Sequence, residues 1–263
     1  MKNNIFLETA LETALEAAQI AGKVLLSYWG KISSCESKSH AGDLVTNADR
    51  EAEIAIKSYL LEKFPSHSFL GEEGGAQGNN ESFTWIVDPL DGTTNYTHQY
   101  PMVSVSIGLV NKKGPLVGVV FNPIMQECFW ASIGNGAYLN GKPIHVSKVS
   151  RLEESLLATG FAYDRTQTPD NNYKEFCHMT SLSQGVRRGG SAALDLSYVA
   201  AGRLDGFWER GLKPWDMAAG WMLVLEAGGR VSGYDGGEFD ISTGRILATN
   251  GLVYERMIDE LKM

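Results

Sequence analysis

Eight consecutive residues, DPLDGTTN at 88–95, gather two carboxylates, two threonine hydroxyls and a glycine directly after the apolar run Trp85, Ile86 and Val87. The oxygens of Asp88 and Asp91 are hard donors suited to a cation such as magnesium, and the carbonyl of Leu90 between them offers one more oxygen. If Gly92, Thr93 and Thr94 open a helix, their backbone N–H groups can hold an anion. The competing reading is a plain turn, since Asp-Gly is a common turn dipeptide and Pro89 a turn former.

Two further acidic segments invite the same chemistry. GEE at 71–73 precedes the Gly- and Asn-rich stretch GGAQGNN, expected to be a flexible loop. Glu72 adds a metal ligand if that loop folds over the acid pair, and is otherwise part of a solvated turn. In WDMAAG, at 215–220, Asp216 follows Pro214 at the expected start of a helix, where a carboxylate also serves the helix dipole. An aspartyl-phosphate mechanism of the DxDGT type is excluded, because the position two residues before Asp91 is Pro89. The five histidines form no HExxH-like pair and are expected to be structural or exposed.

These groups need a scaffold. Leu7, Leu11, Ala14, Leu15, Ala18 and Leu25 recur at helical spacing, predicting an amphipathic helix over 5–28. After a polar link at 33–42, a second helix is expected over 47–64, ending before Pro65 with Leu60, Leu61 and Phe64 toward the core. Short β-rich runs follow at 83–88, 103–110, 116–121 and 127–132, with NKKG and NGAYLNGKP as hairpin or loop connections. The second half mixes strands at 155–161, 204–209 and 245–250 with helices at 172–182, 191–202 and 214–229 and a short C-terminal helix. This pattern predicts an α+β layered architecture with an antiparallel-rich first sheet. No linker divides the halves, so residues 1–263 are expected to form one domain.

The chain of 263 residues carries 23 Lys and Arg against 31 Asp and Glu, a net charge of -8, which argues against nucleic acid as a partner. An acidic protein acting on a phosphorylated small molecule needs cations between its carboxylates and the phosphate. Cys35, Cys128 and Cys177 are far apart and form no CxxC pair, which speaks against a disulfide framework or a zinc knuckle. Glu8, Glu12 and Glu16 interrupt any signal-peptide core, and no run approaches the roughly 20 apolar residues of a membrane span. A soluble cytoplasmic protein with no membrane partner is expected.

Taken together, DLVTNAD (43–49), GEE, WIVDPLDGTTN (85–95), FWERGLKPWDMAAG (207–220) and EAGG (226–229) resemble the inositol monophosphatase family, lithium-sensitive and magnesium-dependent sugar phosphatases, over nearly the whole chain. The resemblance implies an αβαβα sandwich, commonly homodimeric, and a small phosphorylated polyol as substrate. It assigns two or three Mg2+ ions to Glu72, Asp88, the Leu90 carbonyl, Asp91 and Asp216, with Glu72, Leu90, Asp91 and Asp216 also bordering the substrate. Thr93, with Asp49 behind it, matches the pair that orients and deprotonates the attacking water. Phosphate would rest on the metals and on the amides of Gly92, Thr93 and Thr94. Gly190, Ser191 and Ala192 match the polyol wall, and Glu209 the acid that contacts inositol hydroxyls. Lys38 aligns with a lysine near the active site and equally suits a solvated loop.

The implied reaction is hydrolysis of myo-inositol monophosphate by metal-activated water. Histidinol-phosphate, fructose bisphosphate and 3'-phosphoadenosine 5'-phosphate are competing substrates within the fold, and DGTTN with Glu209 favours the inositol branch. A regulatory binding protein that kept the fold, as in bacterial relatives associated with the transcription machinery, is the alternative of another class. It would tolerate loss of a metal ligand, yet all the matched ligands are present.

Overall fold

Alanines let the first two helices meet closely. In the computed structural model, which describes residues 2–31, 35–37, 44–78 and 82–262, α1 (Lys2–Tyr28) buries Ala10, Ala14, Ala17, Ala18, Ala21 and Leu25, and α2 (Asn47–Lys63) faces it with Ala48, Ala52, Ile56 and Leu60. Leu61 and Phe64 are half-buried at the edge of this core. A short antiparallel hairpin, β1 (Cys35–Ser37) and β2 (Leu44–Thr46), joins the two helices. Lys38 lies outside the described residues.

The helices cover one face of an eight-stranded sheet made of β3 (Ser68–Gly71), β4 (Gly75–Gln77), β5 (Thr84–Asp91), β6 (Ser104–Asn111), β7 (Gly114–Asn122), β8 (Glu127–Ser132), β9 (Ala137–Leu139) and β10 (Lys142–Ile144). Its order is β10-β9-β8-β7-β6-β5-β3-β4, antiparallel throughout except where β3 runs parallel to β5. Part of the stretch expected to be a loop is therefore strand, because Gly75–Gln77 pairs with Phe69–Gly71 across a tight turn. The acid-bearing strand also runs three residues past its expected end at 88, so Asp88 and Asp91 lie within it.

A second sheet contains β11 (Leu156–Thr159), β12 (Gly185–Arg187), β13 (Gly206–Arg210), β14 (Arg230–Ser232) and β15 (Arg245–Thr249) in the order β12-β11-β13-β15-β14. Between the sheets lie α5 (Ala192–Ala200) and α6 (Pro214–Glu226). The outer face of the second sheet carries α4 (Tyr173–Leu182) and α7 (Tyr254–Leu261). Remaining on the site side is the short α3 (Thr93–Thr97). The layers follow the expected αβαβα sequence, and strand alternation explains why. On β13, Phe207 enters the middle core and Trp208 the outer one, each burial contributing about 1.5–3 kcal/mol.

The run VSVSIGLV shows how the middle layer is aimed. Val105, Ile107 and Leu109 face α1 and α2, which turns Ser104, Ser106 and Gly108 toward α6. Gly108 pairs with Gly118 on β7, and a Cβ added at Gly108 would stand 2.7 Å from the Ala218 Cβ. The two glycines let α6 approach the sheet almost backbone to backbone. Ser106 Oγ donates to the Trp215 carbonyl at 3.0 Å and fixes the first turn of α6, where Asp216 sits.

Candidate active site

Two carboxylates three residues apart on a regular strand point to opposite faces. On β5, Asp88 pairs with Ser106 while Asp91 pairs with Ser104, so three steps on one strand match two on the other. This bulge spans Pro89, which has no N–H to give the ladder, and it restores Asp91 to the side that Asp88 faces. Asp88 Oδ1 accepts the Leu90 N–H at 3.0 Å, closing the bulge.

Gly92 then turns the chain into α3 with φ +93, and a Cβ there would lie 2.8 Å from the Met102 carbonyl oxygen. Glycine is the residue that meets both demands. Asn95, one turn on, donates to the carbonyls of Met102 at 2.7 Å and Gly189 at 2.9 Å. It ties the acid-bearing strand to the opposite wall, which explains the last residue of DPLDGTTN.

Asp49 lies behind Thr93 rather than on the cavity surface. It is the third residue of α2, and its Oδ2 accepts from the Thr46 N–H (2.9 Å) and Oγ1 (2.5 Å), a capping box that fixes the side chain. Its other oxygen accepts from Thr93 Oγ1 at 3.0 Å. Burial, with the Glu72 charge nearby, raises its pKa despite these bonds. One turn further along α2, Glu53 accepts the N–H groups of Glu73 (2.8 Å) and Gly74 (2.6 Å), clasping the turn that carries Glu72.

All other sequence-predicted residues, Glu72, Asp88, Leu90, Asp91, Gly92, Thr93, Thr94, Gly190, Ser191, Ala192, Glu209 and Asp216, line one cavity of about 650 Å3. Asp91 Oδ2 accepts from Ser191 Oγ at 2.6 Å and from the Ala193 N–H at 2.8 Å, so the start of α5 docks on the acid. Asp216 Oδ2 accepts from the Lys213 N–H at 2.7 Å.

Sequence reasoning missed several contributors. Asp195 on α5 lines the cavity, as do Arg165, Arg188 and Lys213 and the segment from Gly160 to Tyr163. Arg210, next to Glu209, is 8% exposed and bonds Asp164 at 2.7 Å, which fastens that segment over β13. Nothing local in the sequence marks these residues, because each acquires its place from contacts dozens of residues away. The histidine expectation holds for His67, which is buried and stacked between Phe64 and Phe83.

Six carboxylates and three cations line the cavity, and burial dominates the electrostatics. The pKa of Asp88 lies well above the ordinary carboxylate range through burial, then through the charges of Glu72, Asp91 and Asp216. Asp216 is raised in the same way, by burial and then by Asp91. Burial lifts Asp91 to about 6 even though Ser191 and Ala193 pull it down. Glu209 is pushed up to about 8 by burial and by Asp195.

Among the described residues, no three or more His, Cys, Asp or Glu side chains are grouped so as to hold a metal ion by themselves. The donors approach from β5, the turn after β3 and the first turn of α6. Magnesium asks for no closed group, since one or two carboxylates hold it while water and substrate phosphate complete its shell. A hard-oxygen set with uncompensated negative charge fits divalent cations, which would also remove the repulsion an entering phosphate meets.

Residues 7–262 match the profile of the Inositol monophosphatase family. The chain belongs to that family. It is 55% identical over 256 residues to an inositol-1-monophosphatase of Synechocystis sp., a match covering 97% of this chain and 89% of the relative. The solved structure of an inositol monophosphatase from Anabaena superposes with a TM-score of 0.90 at 50% identity, covering 97% of this chain and 96% of that one. A relative of 40% identity over 262 residues is the Nus factor SuhB of Pseudomonas aeruginosa, with 97% of each chain covered. Membership in this family makes the protein a phosphoric monoester hydrolase. No helix among the described residues is long and apolar enough to cross a membrane.

Proposed function

We propose that the protein hydrolyses myo-inositol monophosphate to inositol and phosphate with two or three Mg2+ ions held by Glu72, Asp88, the Leu90 carbonyl, Asp91 and Asp216. The observation that carries this reading is the convergence, in one cavity, of this acid set with the start of α3 on one side and buried Glu209 on the other. Bound divalent ions would neutralise the phosphate, acidify the attacking water and stabilise the leaving alkoxide.

The chain's own residues position and move protons. Thr93 Oγ1 stands 3.0 Å from Asp49 Oδ1, so a proton taken from water at Thr93 has a carboxylate to receive it. The amides of Gly92, Thr93 and Thr94 border the space for phosphate. Ser191 and Ala193 favour the ionised form of Asp91, in which it can bind a cation. Across the cavity, Glu209 with Gly190, Ser191 and Ala192 would face the polyol. A single domain over the chain is supported by the family match across 7–262, and a homodimer is the assembly that the resemblance implies.

Comparing kcat/KM across inositol monophosphate, fructose bisphosphate, histidinol-phosphate and 3'-phosphoadenosine 5'-phosphate tests the substrate. The highest value is expected for inositol monophosphate, and a higher one for any competitor overturns the choice. Glu209→Gln should lower kcat/KM for inositol monophosphate much more than for an aryl phosphate, which has no hydroxyls to read. Equal loss on both would assign Glu209 to the metal site or the fold. The likeness to SuhB supports a second reading, a binding role on the same scaffold. Absence of metal-dependent turnover in the purified protein would favour it.

A further inference from the structure

Beside Glu209 the cavity holds a second buried acid to which the reaction above gives no task. Asp195, in the first turn of α5, is 3% exposed, and Glu209 is 9% exposed. Both line the cavity, and neither side chain accepts a hydrogen bond from another of the described residues. Their places are set by backbone close to each carboxylate. A Cβ at Gly189 would stand 2.6 Å from Asp195 Oδ1, and one at Gly160 would overlap the Glu209 carboxylate.

Neither carboxylate is among the fully buried orphan atoms, since both open onto the cavity, so what fills the cavity supplies their hydrogen-bond partners. An ionised carboxylate offers about four acceptor sites and no donor. Two such groups on one wall therefore suit a ligand rich in O–H groups: burial and neighbouring acids raise the pKa of both, and the charge of Arg188 pulls each back toward the ionised, accepting form. Ser191 and Ala193, which flank this wall, already spend their donors on Asp91.

We infer that Asp195 and Glu209 form an acceptor pair that binds two different hydroxyls of the polyol, which makes Asp195 a specificity-determining residue. The inference rests on the polyol-phosphate reading above. It separates the two sides of the site: the metal and phosphate side is read by any phosphate monoester, the acceptor pair only by a substrate with hydroxyls.

The test is Asp195→Asn, which keeps shape and replaces one acceptor oxygen by a donor, assayed with inositol monophosphate, glycerol 2-phosphate and an aryl phosphate at saturating Mg2+. Loss of one charge-assisted hydrogen bond predicts a fall in kcat/KM of about 10- to 100-fold on inositol monophosphate, carried by KM, with under about 3-fold change on the aryl phosphate. Glycerol 2-phosphate should fall in between. Magnesium affinity measured by titration calorimetry should shift by under about 3-fold, because Asp195 reaches the proposed ligand Asp91 only through its charge. Combined with Glu209→Gln, the losses should depart from a simple product, because the charge of Asp195 already acts on Glu209.

An equal fall on all three substrates, or a magnesium affinity shifted by about 10-fold or more, would place Asp195 with the metal site and overturn the inference. So would unchanged selectivity. If Asp195→Asn does not fold, Asp195→Ser supplies the same comparison with a smaller side chain. Failure of the underlying reading is distinguishable, since it appears as wild type that does not prefer any polyol phosphate over the aryl phosphate.

Discussion

Replacing Ser191 by alanine removes the 2.6 Å bond from its hydroxyl to Asp91 and leaves the backbone N–H groups of Ala192 and Ala193 as donors to that carboxylate. A hydrogen bond to a charged group is worth about 1.5–3 kcal/mol. At 1.36 kcal/mol per unit, its loss raises the Asp91 pKa by about 1–2 units from its value of about 6. The ionised fraction at pH 7 then drops from ~0.9 to between ~0.5 and ~0.1, while at pH 9 it stays near 0.9 or above. Because a proton and a cation compete for the same carboxylate, the half-saturating Mg2+ concentration should rise about 2- to 10-fold at pH 7 and stay nearly unchanged at pH 9. Titration calorimetry across this pH range reads the effect without relying on turnover. An equal rise at both pH values would mean that Ser191 acts through the geometry of α5, and no rise at either would refute the role assigned to the bond. As Ser191 also caps α5, a stability loss of about 1 kcal/mol should accompany the change.

Asp88→Asn should abolish hydrolysis yet raise the melting temperature in chelator at neutral pH, because it removes one of several like charges crowded in a buried site; retained turnover at saturating Mg2+ would contradict the metal assignment. Without metal, the stability of the wild type should fall as pH rises. The folded-state pKa values of Asp88, Asp91, Asp216 and Glu209 lie above their unfolded ones, so their stabilising contribution is complete in acid and lost from about pH 4 upward, through about 6 for Asp91 and about 8 for Glu209. Thermal melts in chelator that rise over this range would be the contrary result, and added Mg2+ should flatten the slope. Glu53→Gln keeps one acceptor but loses the charge that clasps the Glu73 and Gly74 amides, and should raise the Mg2+ requirement several-fold through Glu72; an unchanged binding isotherm would show that the turn holds itself.

What was legible in the sequence followed periodicity and local chemistry. The helical spacing of Ala14, Ala18 and Leu25 and the alternation in VSVSIGLV mark buried faces that the fold uses as expected. The strands β4, β12 and β14 are three residues each, too short to show a period, and exist because a longer neighbour supplies their hydrogen bonds. The acid pair was visible as a motif, but the bulge that puts Asp88 and Asp91 on one side depends on pairing with β6. Glu53, Asn95 and Asp195 look ordinary in sequence. Their roles arise from apposition, as when the Asn95 amide meets the Gly189 carbonyl 94 positions away.

The division of the cavity between its two walls has a consequence for descent. Apart from Asp216, the residues proposed to handle phosphate come from the chain up to Thr94, while Gly160 to Tyr163, Gly190 to Ala192, Asp195 and Glu209 form the other wall. The walls are joined by a small set of bonds, chiefly Asn95 to Gly189 and Ser191 and Ala193 to Asp91. A duplicated gene can thus accumulate changes in its second half and acquire a new diet of phosphate esters while inheriting the bond-breaking apparatus intact, provided those few ties are kept. Divergence among descendants of such a chain should therefore be read first in the residues after 160.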